Sequence, residues 1–179
     1  MAAVIFGCLS PLGISAADIK GAVIAVSDGD TLTVRGDDRA FTIRLAGIDA
    51  PEKRQRFGDK ARRFAVSRVL GKEVRVEAAG TDRYGRIIGK VHYDGGCLNE
   101  ELIRSGFAWV YRRYCKDPVC AEWMGLERAA AQARLALWSD SHPIAPWEFR
   151  HRGKGQRAKG EGRREKDQGP RTKGQGPRT

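Results

Sequence analysis

Between residues 21 and 46 the chain repeats one pattern three times: a short β-rich segment closed by a turn signal. GAVIAVS (21–27), TLTVR (31–35) and AFTIRLA (40–46) are the segments. Asp28-Gly29-Asp30 and Gly36-Asp37-Asp38 are the turns between them. Near-alternation of apolar and polar residues reads as strand, and Asp-Gly steps read as tight turns. Three short strands so joined make an antiparallel meander. One residue breaks the pattern: Arg44 stands inside the apolar run of IRLAGIDAPE (43–52), which ends in Asp49, Pro51 and Glu52.

The period then changes. Phe57, Ala61, Phe64, Ala65 and Val69 share one helical face over residues 57–70, and Gly71 is a stop signal. EVRVEAA and RIIGKVHY return to strand pattern on either side of TDRYG, with Asp94-Gly95-Gly96 closing the pair. Asn99 is expected to cap a short helix carrying Leu102 and Ile103, and FAWVY to form a short strand. Trp123, Leu126, Ala130 and Ala133 mark a last amphipathic helix from Val119 to about Leu137, after which Pro143 and Pro146 should end regular structure. Five main strands with helices to one side is an α+β pattern. A small closed barrel of the oligonucleotide-binding type would use strands this short and remove their exposed edges.

The chain has 179 residues, 41% hydrophobic and 31% charged, enough for one soluble domain with a core. Formal net charge is +11, which points to a polyanionic partner: nucleic acid first, an anionic membrane surface second. The charge is uneven. From residue 151 onward there are ten Lys/Arg against three acidic residues (+7), leaving +4 for residues 1–150. Residues 151–179 are Gly-rich, poor in apolar residues and contain QGPRT twice; this composition reads as a disordered basic tail, either solubilising or tethering to nucleic acid. Residues 1–17 are apolar with small-residue cleavage sites near Ser15-Ala16-Ala17, as in a signal peptide, although no Lys or Arg precedes the apolar run. The expected domain therefore spans 18–150. A secreted or periplasmic location follows if residues 1–17 are a signal, a cytoplasmic one if they are not. Export would make Cys115 and Cys120, five apart in YCKDPVC, a candidate disulfide, with Cys97 left over and half-buried.

The rule-breaking residues form a chemical set. Asp30, Asp49 and a backbone carbonyl are hard oxygen ligands suited to Ca²⁺ or Mg²⁺. Two arginines can grip a phosphodiester and stabilise the charge of a pentavalent transition state. A further carboxylate can orient or deprotonate a water for in-line attack. No Ser/His/Asp or Cys/His arrangement competes, since His92, His142 and His151 lack an accompanying nucleophile motif, and no glycine-rich phosphate loop is present.

VSDGDTLTV, IRLAGIDAPE, TDRYGR, LNEELIRSGFAWVY and GLERAAAQARLALWSD, in this order over residues 20–150, closely resemble the staphylococcal-nuclease-like (thermonuclease) family. The resemblance implies a five-stranded oligonucleotide-binding (OB-type) β-barrel with three helices. It implies Ca²⁺-dependent cleavage of DNA and RNA that leaves 3′-phosphate ends, by a protein expected to be monomeric and without a stable membrane span. It makes Asp30 and Asp49 the calcium carboxylates, the Ala50 carbonyl the third protein ligand and Asp28 a nearby acid outside the ligand set. Glu52 would hold the attacking water. Arg44 and Arg86 would grip the phosphate, with Arg86 assisting the leaving group. Arg83 and Tyr84 would contact the substrate's terminal phosphate and sugar. The pattern departs at the two nucleotide-stacking tyrosines, which fall on Arg112 and Tyr114; Tyr111, one position off, is the other candidate. PIAPWEFRHRG resembles a form common in bacterial members, with Trp147 packing on the barrel. A catalytically inactive nucleic-acid-binding module of the same fold is the alternative. Such modules lose the Arg or carboxylate positions, whereas Asp30, Asp49, Glu52, Arg44 and Arg86 are all present here.

Overall fold

A computed structural model describes residues 18–152. The expected signal peptide (1–17) and all but the first two residues of the expected tail (151–179) lie outside the described residues.

The meander is antiparallel. Strands β1 (Ile19–Asp28), β2 (Thr31–Arg35) and β3 (Ala40–Leu45) pair in sequence, with Asp28 opposite Thr31 at the first turn and Arg44 opposite Thr31 at the second ladder's end. β1 begins two residues earlier than the sequence pattern suggests. Its first half pairs with β5 (Glu73–Thr81) and its second half with β2, the change of partner coinciding with a register shift between Val23 and Ala25. Such irregularities bend a strand, and here the bend lets one strand serve two walls. β5 pairs antiparallel with β6 (Ile87–Tyr93), and β6 returns to β3 in parallel, Ile43 opposite Ile87. The circuit β3-β2-β1-β5-β6-β3 is a closed five-stranded barrel. Two minor pairs complete it: β4 (Ile48–Asp49) with β8 (Trp109–Val110), and β7 (Gly96–Cys97) on β6.

The alternation read from sequence is the inside–outside alternation of the barrel wall. Val23, Leu32, Val34, Ile43, Leu45, Val74, Val76 and Val91 are all at most 5% exposed. Burying one such side chain contributes about 1.5–3 kcal/mol. Helix α1 (Gly58–Val69) lays Ala61, Ala65 and Val69 on this core, and α2 (Leu98–Arg104) adds Leu98, Leu102 and Ile103. Helix α3 (Cys120–Gln132) packs against α2 and β8 and buries Trp123 and Ala130.

Four details differ from the sequence reading. Asn99 does not cap α2. Cys97 holds the cap position, and Asn99, fully buried, accepts the Val91 N–H at 3.1 Å and donates to the Ala46 carbonyl at 2.9 Å. Its amide thus satisfies backbone groups at the barrel's end, a stronger demand than a helix cap. Of FAWVY, only Trp109 and Val110 make strand pairs. Helix α3 stops at Gln132. Arg134 and Ala136 take left-handed φ values of 52° and 40°, and the chain doubles back into a 3-10 turn (Ala136–Ser139) that buries Leu137. Finally, residues 146–152 are helical. Pro146 starts this short helix rather than ending structure, because proline's missing N–H costs nothing at a first helical position. The three expected helices are therefore joined by a 3-10 turn and a short C-terminal helix.

Candidate active site

β3 alternates strictly at its end: Ile43 and Leu45 face the core and Arg44 faces out. The outward face at this point is not open solvent. The Asp28–Asp30 turn lies beside it, and the Asp30 carbonyl accepts the Leu45 N–H at 2.8 Å. β4 follows two residues later and delivers Asp49. Arg44 is therefore flanked by two aspartates, bonding Asp30 through Nη1 and Asp49 Oδ1 through Nη2 at 2.6 Å. Both carboxylates are buried, Asp30 at 2% and Asp49 at 0% exposure.

Asp30 is fixed further by its neighbours. Its Oδ2 accepts the Ala50 N–H at 2.6 Å, and its own N–H donates to Asp28 Oδ1 at 3.2 Å. This places Asp28 beside Asp30, next to the site rather than on Arg44. The small residues follow from packing. A Cβ on Gly29 would lie 2.6 Å from the Ala50 Cβ and 3.0 Å from that of Ala61. Gly29, Ala50 and Ala61 meet at one crowded point, so Ala50 is small because the turn presses on it.

Glu52 sits in the loop between β4 and α1. Gln55, only 8% exposed, accepts the Glu52 N–H on its side-chain oxygen at 3.2 Å and donates to the Ile144 carbonyl at 2.6 Å. The Gln55 N–H returns to the Glu52 carbonyl at 2.8 Å. The Glu52 carboxylate meets Arg150, whose Nη1 donates to Glu52 Oε1 at 2.7 Å. The same guanidinium holds both oxygens of Asp49, at 2.7 Å and 3.2 Å. Burial works against the charge on Arg150, but the hydrogen bonds from Asp49 and Glu52 outweigh it and hold the guanidinium above its ordinary pKa. The site is thus a chain of alternating charges: Asp30, Arg44, Asp49, Arg150, Glu52. Sequence reasoning found four of the five and missed Arg150 and Gln55.

The remaining expected residues lie around this row. Arg86 immediately precedes β6, whose first residue pairs with Ile43. It is held within its own hairpin, Nε and Nη2 donating to Asp82 Oδ2 at 2.8 Å and 2.7 Å. Burial raises the Asp82 carboxyl, but the bonds from Arg86 and the Tyr84 backbone overcome this and leave it below the usual carboxylate range. Arg83 donates to the Tyr84 hydroxyl at 2.6 Å, and Tyr84 is 68% exposed at the hairpin tip. Tyr111 and Tyr114 meet edge to face at 4.8 Å between centroids. Tyr111 also stacks in parallel on Trp147 at 5.1 Å, while Tyr114 is 61% exposed. Trp147 packs in turn on Trp109, as Trp138 does. Cys115 and Cys120 form a disulfide, with Cα atoms 5.8 Å apart. Cys97 is a free, half-buried thiol whose pKa burial raises.

Asp30 and Asp49 offer hard oxygen donors, and both are already drawn to one guanidinium. That chemistry fits a divalent cation held by two carboxylates, the Ala50 carbonyl and water. Among the described residues no group of three or more His, Cys, Asp or Glu is gathered so as to hold a metal. Among the described residues no helix is long and apolar enough to cross a membrane.

A closed five-stranded barrel with helices packed around it defines an OB-type α+β protein, and its charged row of carboxylates and arginines lies on the outer wall. The family model of staphylococcal nuclease homologues matches residues 42–140, and the chain belongs to that family. An uncharacterized endonuclease of Escherichia coli is 46% identical over 137 residues, which cover 76% of this chain and 88% of the relative. Micrococcal nuclease of Shigella flexneri is 39% identical over 147 residues, covering 77% and 84%. A staphylococcal-like nuclease of Arabidopsis thaliana is 38% identical over 117 residues, 65% of this chain but 35% of the longer plant protein.

Proposed function

We propose that this protein is a nuclease that hydrolyses phosphodiester bonds of DNA and RNA, assisted by Ca²⁺, and leaves 3′-phosphate ends. The observation that carries the reading is the row of buried Asp30 and Asp49 around Arg44, with Glu52 at its open end. Family membership and the endonuclease and micrococcal nuclease names of relatives support it.

Asp30, Asp49 and the Ala50 carbonyl would hold the ion. When bound, the ion polarises the phosphoryl oxygen and adds positive charge where the transition state gathers negative charge. Everything else is done by the chain. Arg44 exchanges a carboxylate for a phosphate oxygen, which a guanidinium fork can do without changing its charge state. Glu52 accepts a hydrogen bond from the attacking water, orienting it or taking its proton. Arg86 leaves Asp82 for the phosphate and steadies the departing oxygen. Arg83 and Tyr84, exposed at the adjoining hairpin tip, take the terminal phosphate and sugar, and Tyr114 with Tyr111 offers faces on which a base can stack. Asp28 keeps Asp30 in place through the Asp30 N–H. Access to nucleic acid outside the cell, by secretion or in the periplasm, agrees with residues 1–17 acting as a signal; action as a monomer agrees with a row of five charges supplied by one chain.

The test is digestion of plasmid and RNA by purified residues 18–179, with Ca²⁺ and with chelator, beside Glu52→Gln and Arg86→Ala. Each substitution is expected to lower kcat/KM by about 3 kcal/mol of transition-state stabilisation, the scale of one preorganised charge contact. Nucleic acid left intact by the wild-type protein with Ca²⁺ would refute hydrolysis and leave a binding module of the same fold.

A further inference from the structure

We propose that Arg150 is a positioning residue for hydrolysis: by spanning Asp49 and Glu52 it holds the Glu52 carboxylate where it can orient the attacking water. The inference rests on the role given above to Glu52.

Glu52 needs such a support. Its side chain is 39% exposed and projects from a loop, so nothing in the barrel wall fixes its rotamer. Ordering a free glutamate costs side-chain rotamer entropy. The other member of the pair, Asp49, is fully buried and already carries negative charge, so Glu52 beside it would turn toward solvent. Arg150 reverses that preference. One nitrogen, Nη1, touches both carboxylates, at 2.7 Å to Glu52 and 3.2 Å to Asp49, while Nη2 takes the second Asp49 oxygen at 2.7 Å. A planar fork can make this bridge; a single ammonium cannot reproduce it.

A second, independent tie converges on the same loop from the same segment. The Ile144 carbonyl accepts from Gln55, whose side chain holds the Glu52 N–H. Residues 144–152 therefore fix Glu52 twice, backbone through Gln55 and side chain through Arg150. The segment is itself anchored: Trp147 lies flat on Tyr111 and edge-on to Trp109. Arg150 also lies outside residues 42–140, the stretch matched by the family model.

The experiment is a double-mutant cycle on kcat and KM with single-stranded DNA and Ca²⁺: wild type, Arg150→Ala, Glu52→Gln and the double variant. Arg150→Lys, urea unfolding and Ca²⁺ titration accompany it. Arg150→Ala is expected to lower kcat roughly 10- to 100-fold, the cost of a misplaced catalytic group, with KM changed less than about threefold. Adding Arg150→Ala to Glu52→Gln should cost less than about threefold more, because the arginine acts through the glutamate. If Arg150→Ala does not fold, the same cycle is run with Arg150→Lys, whose smaller loss should likewise vanish in the Glu52→Gln background. Losses that multiply, or wild-type kcat in Arg150→Ala, overturn the inference while leaving the role of Glu52 intact. Tighter Ca²⁺ binding with raised activity in Arg150→Ala also overturns it, making Arg150 an occluder. Full activity in Glu52→Gln refutes the reading of Glu52 itself.

Discussion

At position 58 a side chain has no room: a Cβ there would lie 2.0 Å from the Glu52 carbonyl oxygen and 2.8 Å from its carbon. The obstacle is backbone, so a substitution must move the loop that carries Glu52. Gly58→Ala is expected to destabilise the protein by about 1–3 kcal/mol, the usual cost of overpacking, measured by urea unfolding. It should also lower kcat at saturating substrate; an unchanged kcat would mean that the loop can shift without moving the Glu52 carboxylate. At this scale the sequence was informative where a residue violated its local pattern. Arg44 in a strand and Asp30 and Asp49 at strand ends were legible for that reason. Ala50 was legible as a position but not in its cause, which is contact with Gly29. Gln55 and Arg150 were not legible. Each looks like an ordinary polar residue on a loop or late helix. Their partners lie 89 residues away for Gln55, and 98 and 101 residues away for Arg150. No local rule encodes such distances.

Elements were legible where periodicity ran long enough. The meander, α1 and the β5–β6 hairpin each show one clear period. Barrel closure was legible only through the family resemblance, because it rests on a parallel contact between β3 and β6, whose sequences carry no mark of it. The end of α3 was overshot because alanines at helical spacing continue past the point where left-handed residues turn the chain back. The ties between elements carry a pH dependence. Tyr93, on β6 and 8% exposed, donates to Glu101 of α2 at 2.6 Å, and Glu101 pairs with Arg68 of α1 at 3.0 Å. Burial, reinforced by the bond to Glu101, pushes the Tyr93 hydroxyl well above its ordinary value. The neutral phenol is therefore favoured in the fold. Its contribution to stability is fully present below the unfolded-chain pKa, about 10, and is lost as pH rises above it, by up to about 1.4 kcal/mol per pH unit. Urea unfolding between pH 8 and 11 should show wild type losing more stability than Tyr93→Phe, which lacks the ionisable group. Parallel losses would remove Tyr93 as the cause.

On the scale of the whole molecule, charge is divided unequally between barrel and C-terminus. Residues 1–150 hold 23 basic and 19 acidic side chains, whereas residues 153–179 hold nine basic and three acidic. Around the site the arginines are largely committed: Arg44 and Arg150 to carboxylates of the row, Arg86 to Asp82. Charges paired in this way add little to the capture of a polyanion from a distance. Long-range attraction for a polyanion then falls to the C-terminal stretch, whose charges have few acidic partners in sequence. Each phosphate neutralised adds about 0.7–0.9 to the steepness of log affinity against log salt. Ending the chain at residue 152 removes a net +6 and is expected to flatten that slope and raise KM at low salt. The kcat at saturating substrate should stay as it was, since no residue of the row is removed. Salt titrations of binding and of kcat/KM for 18–179 and 18–152 measure this directly. Equal slopes would show that the basic stretch makes no contact with nucleic acid, and that the barrel face alone supplies the attraction.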